Sequence, residues 1–108
     1  MITFVARMRV SPENASAYEA LMAHVQAKTL AHEPGVAYYA WAKGVDEPDT
    51  YVVIEVYRDP EAQAAHMATA WVRESLPVSA GLLDGRPEIR QYVTPGSEPV
   101  TARLFKPE

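Results

Sequence analysis

The sequence contains no cysteine. That removes disulfide frameworks, thiolate nucleophiles and zinc knuckles from consideration, and a reducing cytoplasm is the expected compartment. Clustered lysine and arginine are missing too: ten basic residues are scattered among fourteen acidic ones, for a net charge of -4. No nucleic acid and no anionic membrane surface is therefore expected as partner, which leaves small molecules and other protein chains. No apolar run approaches the about 20 residues that span a bilayer, and the opening MITFVARMRV alternates like a strand, without the basic start and apolar stretch of a secretory leader. Nucleophile elbows, phosphate loops and dinucleotide fingerprints are absent, and no His/Asp/Glu trio has ligand spacing. Neither a metal nor a tightly held cofactor is expected.

What remains is enough for one domain with a real core, since the chain has 108 residues. Ile2, Phe4, Ala6, Met8 and Val10 alternate with Thr3, Val5, Arg7 and Arg9, which is the two-residue period of a strand. Ser11-Pro12-Glu13 then opens a helix, with serine as cap and proline in the first turn. Its stripe, Tyr18, Leu21, Met22, Val25 and Thr29, recurs at helical spacing, and Pro34-Gly35 ends it after His32. Val36–Lys43 reads as a second strand, 44–50 as a polar hairpin connection and 51–57 as a third strand. Asp59-Pro60 repeats the cap-and-proline start for an alanine-rich helix, expected to break near Pro77 and to continue irregularly to Leu83. Asp84-Gly85-Arg86-Pro87 turns the chain into a fourth strand, Glu88–Val93.

The order β-α-β-β-α-β predicts an α+β, ferredoxin-like domain with an antiparallel sheet over residues 1–94. Two helices cover only one face of four strands. The other face is also rich in apolar side chains, so a homodimer packed sheet against sheet is expected. Residues 95–108 read as a C-terminal arm, in which VTARLF alternates after a proline-rich linker. It is expected to dock, as an arm across the partner.

The third strand poses the functional question, because it carries Glu55 among aromatics and leads to His66 two turns into the next helix. Glu33-Pro34-Gly35 before the aromatic pair Tyr38-Tyr39, followed by Tyr-x-x-x-Glu-x-Tyr-x-Asp-x-x-Ala-x-x-x-His from Tyr51 to His66, resembles the antibiotic biosynthesis monooxygenase domain family. The resemblance covers roughly residues 1–94. It implies dimeric α+β barrels with a pocket between sheet and helices, and chemistries that include cofactor-free oxygenation of quinols and anthrones, haem degradation and isomerisation of a phosphorylated sugar. Anthrone oxygenases of the family carry Trp and Asn where this chain has Tyr57 and Val53. The haem-degrading members carry Asn, Trp and His where Met8, His66 and Leu76 stand, which speaks against that activity. His66 is similar to the quinol-oxygenase and isomerase members.

The resemblance points Tyr57 into the pocket, and strand alternation then puts Val53 and Glu55 on the same side, with Val52, Ile54 and Val56 toward the partner. His66 is the candidate general base, with Glu55 orienting it and Tyr57 as donor; a structural, hydrogen-bonded histidine is the competing reading. A buried Glu55 has a raised pKa or needs a donor such as His66, Tyr57 or Arg90. Ala62, Ala64, Ala65, Ala68 and Ala70 leave room beside His66, Met67 and Trp71, although helix propensity explains the same composition. Tyr39, Trp41 and Trp71 are candidate stacking walls for a flat ring, against a plain core role. His32 suits helix-end packing or capping and His24 the surface. These readings favour a cofactor-independent monooxygenase acting on a small hydrophobic phenol or quinol; an isomerase of a small keto compound and a non-catalytic ligand-binding or stress-related dimer are the alternatives.

Overall fold

A computed structural model describes residues 1–101 of the chain. Four antiparallel strands, β1 (Ile2–Arg9), β2 (Val36–Lys43), β3 (Thr50–Tyr57) and β4 (Glu88–Val93), form one sheet in the order β2-β3-β1-β4. Helices α1 (Ala15–His32), α2 (Pro60–Ala68) and α3 (Ala70–Leu82) cover one face. The architecture is the α+β, ferredoxin-like one.

Alternation in β1 turns Ile2, Phe4, Ala6 and Met8 inward, where they sit across from Tyr57, Glu55, Val53 and Tyr51 of β3. Full burial of side chains such as Ile2 and Phe4 contributes about 1.5–3 kcal/mol each. The α1 stripe meets them with Tyr18, Met22, Val25 and Thr29. Between β2 and β3 the register shifts: Val36 pairs with Tyr57, but Tyr38 pairs with Val56. Ala37 is therefore the extra residue of a bulge, and Tyr39, one place further, stands opposite Glu55 on the helix side.

Three local expectations are corrected. β1 ends at Arg9, and Val10 makes only an isolated bridge to Leu83. Ser11 makes no side-chain cap bond and a single tight turn, Pro12–Asn14, precedes α1, whereas Asp59 does cap, accepting from the Ala62 amide at 2.8 Å. The helix after Asp59 breaks at Thr69, not at Pro77. Thr69 is extended, its hydroxyl caps the Val72 amide, and the same oxygen donates to the His66 carbonyl. Pro77 stays inside α3 on an exposed face, where water can satisfy the Arg73 carbonyl that the ring leaves without a donor.

The start of the arm packs on the sheet of its own chain. Val100 joins Ile2, Phe4 and Tyr57, and the Gln91 amide clamps its backbone with bonds of 3.0 and 2.7 Å. The expectation for the arm beyond residue 101 lies outside the described residues. On the opposite face of the sheet, Val5, Val52, Ile54 and Val56 lie between the exposed rings of Tyr38 and Tyr92, and no helix among the described residues covers them.

Candidate functional site

The site is built where α1 ends. Pro34 follows Glu33, so the helix stops and Glu33 leaves it with non-helical backbone, its amide still bonded to the Thr29 carbonyl. Gly35 then passes so close to α2 that a Cβ there would lie 2.7 Å from the Cβ of Ala62. Only glycine against alanine permits that approach. Ala62 and His66 are four residues apart on one helix face, so the turn that touches Ala62 carries Glu33 to His66.

His66 is 3% exposed. Its Nδ1 lies 2.9 and 3.1 Å from the two Glu33 oxygens, and one of these also accepts the Trp71 indole N–H at 2.8 Å. A carboxylate only accepts, so Nδ1 carries a proton, and in the neutral imidazole the lone pair is then on Nε2. The ring is flanked by Tyr39 and Tyr57, with centroids at 5.4 and 5.5 Å. Nε2 lies 3.9 Å from a Glu55 oxygen, beyond direct hydrogen-bond distance, and the Tyr57 hydroxyl donates to that same oxygen.

Burial raises the Glu55 pKa, while the Tyr57 hydroxyl and His66 oppose the shift and Glu33 adds to it. The Glu55 side chain retains 21% exposure and lines a cavity. Burial, followed by the negative field of Glu55, also drives the Tyr39 and Tyr57 hydroxyls well above the usual phenol range, so both stay protonated donors. Their positions differ in one respect. The Tyr57 proton is committed to Glu55, whereas the Tyr39 hydroxyl has no partner among the described residues.

The cavity, about 720 Å³, lies between the sheet and the helices. Ala6, Met8, Met22, Val25 and Ile89 give it apolar walls. Of the sequence-derived candidates, His66, Glu55, Val53, Tyr39 and Met67 line it. Tyr57 sits beneath the His66 ring, Trp41 packs on Tyr51 with centroids 6.4 Å apart, and Trp71 lies behind Glu33, so these three are not among its lining. Arg90 is no partner for Glu55: it stands opposite Val5 on the other face of the sheet. His32 is exposed and lies against Trp71 at 5.5 Å, and His24 is exposed. Glu33 stood in the motif, but sequence reasoning missed its role. Its one signal was an acidic side chain directly before Pro-Gly.

Among the described residues no group of three His, Cys, Asp or Glu side chains is placed to hold a metal, and no helix is long and apolar enough to cross a membrane. No curated protein matches the chain. Among solved structures, a conserved protein from Methanosarcina mazei is 25% identical with a TM-score of 0.80, covering 84% of this chain and 89% of its own. A Caulobacter crescentus protein named for antibiotic biosynthesis monooxygenase is 27% identical with a TM-score of 0.81, over 84% of this chain and 86% of that one. Rv0793 from Mycobacterium tuberculosis, 22% identical with a TM-score of 0.79 over 86% and 93% of the two chains, has the same fold. The family profile described as antibiotic biosynthesis monooxygenase matches residues 1–76, and the chain belongs to that family.

Proposed function

We propose that the protein is a cofactor-independent monooxygenase of a small hydrophobic phenol or quinol. The observation that carries this reading is the His66 imidazole, held through Nδ1 on Glu33, whose ring borders a largely apolar cavity. In the proposed reaction Nε2 takes the proton of a bound O–H, and the free Tyr39 hydroxyl stabilises the oxyanion that forms. The electron-rich anion then reduces oxygen itself. One oxygen atom replaces two substrate hydrogens as a carbonyl oxygen, and the other leaves with those hydrogens as water, so no outside reductant is needed. Apolar walls serve this chemistry by keeping water from the anion.

In this reading Glu33 positions the base, a role first assigned to Glu55. Glu55, with its raised pKa and its place 3.9 Å from Nε2, is suited to hold and return a proton on the far side of the reacting oxygen. The uncovered sheet face supports a homodimer joined through Val52, Ile54 and Val56.

Oxygen uptake with a panel of naphthoquinols and anthrones tests the reading. Wild type is expected to consume oxygen with at least one of them, and His66→Ala to lower turnover about a hundredfold or more while remaining folded. Tyr39→Phe, which keeps the ring, is expected to slow turnover without weakening binding in proportion. Proton exchange into a keto substrate without oxygen uptake would assign the isomerase class instead.

A further inference from the structure

The cavity has two chemically different ends. His66 and Glu55 mark one; Arg86, in the turn before β4, marks the other. Among the described residues Arg86 is the one arginine or lysine that lines the cavity, and it makes no hydrogen bond or ion pair with any of them. The contrast with other cations is direct: Arg7 pairs with Glu47 at 2.5 Å, Lys43 lies 3.8 Å from Glu19, and the Arg58 side chain donates to the Pro34 carbonyl. Arg86 is an exposed residue of the cavity lining, to which Leu76, Ser79, Leu83 and Pro87 also belong.

Sheet register sets the separation. Glu55 is level with Phe4 of β1, whereas Glu88 is level with Arg7, so Arg86 stands about level with Arg9. Five residues at about 3.3 Å each put the two levels about 17 Å apart at the backbone. Arg86 precedes the strand, so alternation does not set its face; it lines the cavity as Glu55 does, and the separation of the two, less the length of their side chains, matches the span of a fused two- or three-ring molecule. Charge sets the direction. Glu33 and Glu55 disfavour a standing carboxylate at the inner end, where the reacting hydroxyl arrives neutral and its charge on ionisation is balanced by the proton passed to His66, and Arg86 makes the outer end favourable to a permanent anion.

We infer that the substrate is an aromatic hydroxy compound with an anionic substituent, a carboxylate or similar oxyanion, at the end remote from the reacting hydroxyl, and that Arg86 selects for it. The guanidinium binds the oxyanion by charge-assisted hydrogen bonds and so orients the ring with its hydroxyl toward Nε2. The inference rests on the reading that the reacting end lies at His66.

Equilibrium binding tests it without turnover. 6-Hydroxy-2-naphthoic acid and its neutral methyl ester have the same ring and the same hydroxyl, and titration calorimetry measures both. Wild type is expected to bind the acid about tenfold or more tighter than the ester. In Arg86→Gln the ratio should fall to about one through loss of acid affinity, while Arg86→Lys, a point charge without the planar fork, should keep part of it. Equal affinities in wild type, or a preference that survives Arg86→Gln, would overturn the assignment and leave the His66 reading intact. Binding of neither compound would overturn it together with the cavity reading, and oxygen uptake reports that reading separately.

Discussion

Replacing Glu33 by glutamine changes one oxygen to an NH₂ group and leaves the shape almost untouched. In the native turn both carboxylate oxygens accept, one of them from two donors, Nδ1 of His66 and the Trp71 indole. An amide has a single acceptor. If its oxygen faces the indole N–H, its NH₂ faces Nδ1, which can then only accept, and the imidazole proton must move to Nε2. The opposite orientation sets two donors against each other at Trp71 and is disfavoured. Hydrogen bonds to a charged group contribute about 1.5–3 kcal/mol, which biases the native ring roughly 10- to 150-fold toward the Nδ1–H form. The Glu33→Gln protein should lose that bias and present N–H, not a lone pair, to the cavity. Nitrogen-15 long-range correlation spectra read this directly: Nε2 of His66 should be pyridine-like in wild type and pyrrole-like in the variant. Turnover on any oxygen-consuming quinol should fall by about tenfold to a hundredfold, and Glu33→Asp should restore the native tautomer in part. The reasoning is refuted if wild type already carries its proton on Nε2, or if the variant keeps the native tautomer.

Other outcomes follow from the same geometry. Because Glu55 has a folded pKa above its ordinary 4.5, the folded state keeps a proton that the unfolded chain releases. That contribution is complete below about 4.5 and is lost as pH rises through the folded value, so Glu55→Gln should flatten this fall in urea stability; parallel curves for the two proteins would count against a buried, raised Glu55. Gly35→Ala drives a Cβ to 2.7 Å from that of Ala62 and should cost about 1–3 kcal/mol in thermal unfolding, recovered when Ala62→Gly is added. No recovery in the double variant would deny the close approach. Ile54→Asp places a charge in the uncovered face and should turn a sedimenting dimer into monomer with lower stability. A wild-type monomer at micromolar concentration would dismiss the proposed assembly.

The fold was legible wherever a single element declared itself. Alternation in 2–10 and 51–57 and the stripe from Tyr18 to Thr29 each need only local side-chain period, and the element order then leaves one common topology. The helix break was misjudged because Pro77 is a loud local signal whose cost depends on exposure, whereas Thr69 breaks the chain by bonding in two directions at once. The bulge at Ala37 has no glycine or proline to mark it and is defined only by the partner strand. The pairing of Glu33 with His66 escaped notice for a related reason. Glu33 meets a histidine 33 residues away, and the approach depends on two small side chains, Gly35 and Ala62, whose importance is steric and appears only once helix and turn are packed. The placement of Trp71 behind Glu33, away from the cavity, follows from the new helix phase that Thr69 sets.

The bulge also bears on how this scaffold tolerates gain and loss of residues. Val36 already faces the helices, and so does Tyr39; Ala37 is the residue that the ladder skips. A homologue lacking it would run Val36, Tyr38, Tyr39 as an ordinary alternation and would still offer Tyr39 to Glu55. The distance in sequence between the histidine-binding turn and the tyrosine strand is thus free to drift by one residue without inverting the sheet. Insertions and deletions in this stretch, ordinarily ruinous in a strand, become a permitted route of divergence, and a graft of the Glu33 turn onto a domain of the same fold need not match its length residue for residue.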